Sequence, residues 1–98
     1  TQVVIIPVSQ EAATYARHIQ LSLRELGAYA EIHDKNETLS KRVRTAEKQR
    51  VPMIVIIGDK EVESKMLAVR DSRAKEQYNL EEGAFFTMIE SKIREVSF

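Results

Sequence analysis

The sequence predicts a single α/β domain, and three observations carry that prediction. Met53 to Ile57 is a continuous apolar run closed by Gly58, as in a strand buried on both faces. Two stretches with helical spacing, near 10–26 and 38–50, separate the first three strand-like runs, near 3–6, 29–33 and 53–57. Strands joined through helices run parallel, because the crossover brings the chain back to the end of the sheet where the previous strand began. Finally, 98 residues suffice for one core that buries about 65% of the unfolded surface, but not for a second.

The elements follow in order. Val3-Val4-Ile5-Ile6 is β-branched and ends at Pro7, a buried first strand. Ser9 is placed to cap a helix, in which Ala12, Ala16, Ile19, Leu23 and Leu26 form one apolar stripe and Gly27 supplies the terminating residue. Ala28 to His33 alternates as an outer strand with one wetter face. Asp34-Lys35-Asn36-Glu37 breaks that pattern, and the second helix runs from Thr38 to Arg50, where Val51-Pro52 stops it.

After Gly58, residues 59–64 read as a polar connection, short enough to make the strand at Met66 to Arg70 an antiparallel neighbour. Residues 71–75 read as charged loop and Glu76 to Tyr78 as an edge strand. Asn79-Leu80-Glu81-Glu82 has the pattern of a capping box, followed by a last helix near 80–96. Phe85, Met88 or Ile89, Ile93 and Val96 mark its buried stripe, and Glu90 and Arg94 are spaced as an i,i+4 pair.

Composition narrows the function classes. Lys+Arg and Asp+Glu both number 15, so the chain as a whole is not the basic object expected of a non-specific nucleic-acid binder. The charge is nevertheless sorted. Between Lys35 and Arg50 stand Lys35, Lys41, Arg42, Arg44, Lys48 and Arg50 against Glu37 and Glu47 alone. On a helical wheel Lys41, Arg44 and Lys48 fall within about 60° of one another, opposite Leu39, Val43 and Ala46. Such a stripe is either an ordinary solvated face or a surface for phosphates.

Without cysteine there is no disulfide, thiolate metal ligand or thiol nucleophile, and a reducing, cytoplasmic setting is expected. No run approaches the roughly 20 apolar residues of a membrane span, so no membrane association is expected. The chain opens at Thr1 without a methionine and enters a strand at once, so a piece of a longer protein is expected.

Catalytic signals are weak. His18 and His33 share no spacing with a carboxylate cluster, and the glycines at 27, 58 and 83 are isolated, so neither a zinc site nor a phosphate-cradling loop is written here. Glu61 and Glu63 without a pocket make a poor acid/base couple. No catalytic residue and no metal ligand is assigned, and a binding module is the better class.

The runs Asn36-Glu37-x-Leu39-Ser40-x-Arg42-Val43-Arg44, Arg50-Val51-Pro52-Met53, Ile57-Gly58-Asp59-Lys60-Glu61 and Val69-Arg70 resemble the C-terminal anticodon-binding domain of class II aminoacyl-tRNA synthetases, most closely that of the threonyl enzymes. Nearly the whole chain takes part. The resemblance implies a three-layer α/β/α arrangement with a mixed five-stranded sheet and three helices. It implies that residues 1–98 are one anticodon-binding domain from the C-terminal end of a threonine-tRNA ligase, and that Asn36, Arg44, Glu61 and Arg70 sit where this family reads the anticodon.

Lys41, Lys48 and Arg50 would then meet phosphates, setting position rather than sequence. The implied partners are the anticodon loop of tRNA(Thr), a catalytic domain of the same chain and, for the parent, a second copy in a homodimer. ATP and zinc would belong to that catalytic domain. The chain departs from the family's frequent Lys-Ile-Gly at Thr38-Leu39-Ser40, and from its more basic loop at Asp71-Ser72-Arg73-Ala74. Rival expectations are the same fold in a prolyl, histidyl or glycyl synthetase or a polymerase accessory subunit, and a flavodoxin-like domain binding a small ligand at the strand ends.

Overall fold

The structure, a computed structural model, describes residues 2–33, 38–73 and 75–95. Its elements in chain order are β1 (Val3–Pro7), α1 (Gln10–Glu25), β2 (Ala30–Ile32), α2 (Leu39–Lys48), β3 (Met53–Ile57), α3 (Asp59–Ser64), β4 (Met66–Asp71), β5 (Glu76–Glu81) and α4 (Glu82–Arg94). They build one sheet in the order β2-β1-β3-β4-β5. β1 pairs in parallel with β2 and β3, and β4 pairs antiparallel with β3 and with β5. The expected mixed five-stranded α/β sheet is therefore present.

The alternation of side chains along each strand sorts them into two cores. Val3, Ile5, Met53, Val55, Ile57, Leu67 and Val69 face α1 and α4, meeting Ala12, Ala16, Ile19, Leu23, Phe85 and Ile89. Val4, Ile6 and Ile54 face the other way, against Val43 and Ala46 of α2 and Val51. Both faces of β1 and β3 are thus covered, which is why their sequences are continuously apolar rather than alternating.

The ends of the helices follow their local chemistry. The Ser9 hydroxyl accepts from the Ala12 N–H at 3.1 Å, and Gly27 takes φ +94°, a geometry that a side chain would strain. Thr38 caps α2 through Lys41 N–H at 3.2 Å.

Four of the expectations are corrected. The domain has four helices among its described residues, not three: residues 59–64, read as a polar connection, form α3. Its first turn closes when the Glu61 carboxylate accepts the Gly58 N–H at 2.7 Å, and Lys65 ends it in the left-handed conformation at φ 59°. Asn79-Leu80-Glu81-Glu82 makes no capping box. β5 runs on to Glu81, because Tyr78 and Leu80 pack inward as partners of Val69 and Leu67, and the continued ladder outweighs local capping. β2 is shorter than the reading Ala28 to His33. α2 ends at Lys48, with Arg50 beyond it at φ 58°. Val96, assigned to the last stripe, and the loop 34–37 lie outside the described residues.

Candidate nucleic-acid interface

The register across β3, β4 and β5 pairs Ile54 with Arg70, Ile56 with Ala68, Arg70 with Gln77 and Ala68 with Asn79. All of these side chains therefore lie on the α2 side of the sheet. α2 packs against β1. Among the described residues no helix packs broadly over β4 and β5 on that side, which leaves a shelf of open sheet beside the helix.

Three shallow depressions along this shelf share Arg70. One, of about 310 Å³, is lined by Leu39, Ser40, Val43, Arg44, Glu47, Ile56 and Arg70. A second, of about 260 Å³, runs over Ala68, Gln77 and Asn79. The third, of about 420 Å³, continues past Asp71 and Lys75. None is an enclosed apolar cavity.

Of the residues singled out from sequence, Arg44 and Arg70 are brought together here, one from α2 and one from the sheet. Lys41, Lys48 and Arg50 are exposed on or just past α2. Asn36 lies outside the described residues. Glu61 does not line the shelf's depressions. It stands in the first turn of α3, past the end of β3, whereas Arg70 pairs with Ile54, four residues before Gly58 and so about 13 Å back along the strand. One Glu61 oxygen receives the Gly58 N–H. Val8, 43% exposed, approaches Gly58 beside it.

Two contributors escaped the sequence reading. Arg42 donates from Nη1 to Pro7 O at 2.8 Å and His33 O at 3.2 Å, tying α2 to the ends of β1 and β2. Its azimuth, about 60° from Leu39 and away from the Lys41/Arg44/Lys48 face, was the available signal. Gln77 was unremarkable in sequence and acquires meaning only from its register with Arg70.

The opposite side carries a separate polar cluster. The Tyr15 hydroxyl donates to Glu82 Oε2 at 2.7 Å, His18 Nε2 meets Glu82 Oε1 at 3.1 Å, and Lys65 Nζ lies 4.9 Å above the Tyr15 ring. Burial, then the hydrogen bond to Glu82 and its charge, push the Tyr15 hydroxyl well above its ordinary range. His33 stands 3.5 Å from Glu31. Among the described residues no group of His, Cys, Asp and Glu could hold a metal, and no helix is long and apolar enough to cross a membrane.

The site is thus a shallow, open shelf on a mixed α/β sheet, with polar and apolar groups side by side. The fold is shared with the RNA-binding domain of threonyl-tRNA synthetase from Cryptosporidium parvum, at TM-score 0.84 and 19% identity over 92% of this chain and 23% of that one. It is shared too with histidyl-tRNA synthetase from a Nostoc species, at TM-score 0.86 and 22% identity over 95% of this chain and 22% of that one.

The family profile described as the anticodon binding domain matches residues 2–92, and the chain belongs to that family. It is 57% identical over 99 residues to a threonine–tRNA ligase of Helicobacter hepaticus and 50% identical over 98 residues to one of Campylobacter lari. The whole chain is covered in both, and it spans 16% of the length of these relatives.

Proposed function

We propose that this chain is the C-terminal anticodon-binding domain of a cytoplasmic threonyl-tRNA synthetase, and that its shelf reads the anticodon loop of tRNA(Thr). The observation that carries the reading is the open depression lined by Arg44 and Arg70 together, with Leu39 and Ile56 as apolar walls. Sequence-specific RNA recognition works on splayed loop bases, which stack on a surface and offer their edges to hydrogen bonds. On the shelf an arginine fork matches guanine O6 and N7, and beyond it, past the end of β3, a carboxylate such as Glu61 matches the N1–H and N2–H of a guanine that reaches the first turn of α3. Asn36 would read a further base, while Lys41, Lys48 and Arg50 meet phosphates.

On this reading the chain catalyses nothing by itself. Aminoacylation, with its ATP and zinc, belongs to a catalytic domain of the same longer chain, and that enzyme works as a homodimer. The flavodoxin-like reading loses its support: the strand order is alike, but β4 runs antiparallel to both of its neighbours, and the depressions on the sheet are open rather than enclosed.

The test is binding to tRNA(Thr) transcripts altered one anticodon base at a time. Glu61→Gln should cost about 1 to 3 kcal/mol for the cognate anticodon and far less for a transcript changed at the base it reads. Lys48→Ala should instead weaken all transcripts alike and shallow the salt dependence by roughly one phosphate contact. A Glu61→Gln variant that binds every transcript more tightly by the same factor would mark Glu61 as a solvated surface acid.

A further inference from the structure

Arg70 is held from both ends. With the Gln77 amide oriented so that its oxygen faces the guanidinium, that oxygen accepts from Arg70 Nε at 3.0 Å and Nη2 at 2.8 Å, directly across the β4–β5 ladder. From the other wall of the shelf, Glu47 on α2 accepts from Arg70 Nη1 at 3.3 Å. The Arg70 side chain is 33% exposed and that of Glu47 51% exposed, so this ion pair contributes little to stability. Its effect is on geometry and charge.

A long arginine side chain otherwise samples many rotamers, and fixing it in advance removes that ordering cost from binding. Gln77 occupies one N–H on Nε and one on Nη2, and Glu47 one on Nη1, which leaves one N–H on each terminal nitrogen. Two free donors on neighbouring nitrogens suit a pair of acceptors on a purine edge. The Glu47 charge also offsets that of Arg70, so the pair attracts a passing phosphate less than a lone arginine would.

We propose that Glu47 and Gln77 are positioning residues that hold the Arg70 guanidinium against the sheet as a base reader and keep it from acting as a phosphate contact. This deepens, and rests on, the reading of the shelf as an anticodon surface. Neither residue touches the base.

The experiment measures binding of the chain to tRNA(Thr) and to transcripts altered at each anticodon base, across a salt series, with the thermal midpoint of each variant as a control. Arg70→Ala identifies the base at which discrimination collapses. At that base Gln77→Leu should lower discrimination about tenfold, whereas Gln77→Glu, which keeps an acceptor, should retain it while weakening all transcripts together. Glu47→Ala should lower discrimination and steepen the salt dependence by roughly one phosphate contact, as the released arginine turns to the backbone.

If Arg70→Ala collapses discrimination while Gln77→Leu and Glu47→Ala both leave it intact, the positioning proposal is overturned and the anticodon reading stands. If Arg70→Ala itself leaves discrimination unchanged at every base, the reading of Arg70 fails, and the proposal with it.

Discussion

Glu82 shows how one residue can join distant parts of this chain. Burial alone would raise its carboxyl, but the hydrogen bonds from Tyr15 and His18 and the charges of His18 and Lys65 outweigh that and hold it below the ordinary 4.5. A carboxyl lowered on folding binds fewer protons in the folded state, so its contribution is complete above the unfolded value and is lost as pH falls through the folded one. Denaturation midpoints should therefore fall as pH drops below about 5, and Glu82→Gln should flatten that part of the profile. An unchanged acid limb in the variant would show that the cluster does not stabilise the fold.

At the same scale, the site was only partly legible. The residue types that favour base edges and phosphates were visible in Arg44, Glu61 and Lys48, since charge and helical azimuth are local properties. The azimuth of Arg42 set it apart from the basic stripe, but its partners, like those of Gln77, depend on a strand end and a cross-strand register that no local window contains.

Among the elements, α3 is where sequence and structure part. β1, β3, α1 and α2 announce themselves by apolar runs and periodicity, but a six-residue helix is under two turns long and leaves no periodic trace. It forms because Glu61 closes its first turn on the Gly58 N–H and Val62 packs on the larger core. This gives Glu61 a structural task that can be separated from any reading of bases. Glu61→Ala should lower stability by about 1 kcal/mol in urea, whereas Glu61→Gln, which still offers an oxygen to Gly58, should stay within about 0.5 kcal/mol of the parent. Equal losses would mean that charge at the helix start, not the capping bond, is what matters. β5 misled for a different reason: a sound capping pattern at Asn79 to Glu82 is overridden by pairing with β4, a tertiary effect that local reading cannot weigh.

For the whole molecule, zero net charge conceals a division of labour. Among the described residues the sheet is covered on both faces over β1 and β3 and mainly on one face over β4 and β5, because α2 packs over β1 and β3 and touches β4 at its margin, where Glu47 meets Arg70. That asymmetry leaves a shelf beside the basic helix, and it rests on the order β2-β1-β3-β4-β5. The parallel half of this order was readable from two helical crossovers. The placing of Arg44 opposite Arg70 was not, since it follows from which part of the sheet the helix leaves bare.

The central claim, that this shelf is an RNA-reading surface, is tested most directly by mapping backbone amide shifts of the chain as an anticodon stem-loop of tRNA(Thr) is added. Shifts should concentrate at Arg44, Ile56, Arg70 and Gln77, and at the first turn of α3, with Tyr15, His18 and Glu82 on the opposite face unmoved. Shifts confined to α1 and α4, with the shelf silent at saturating RNA, would contradict it.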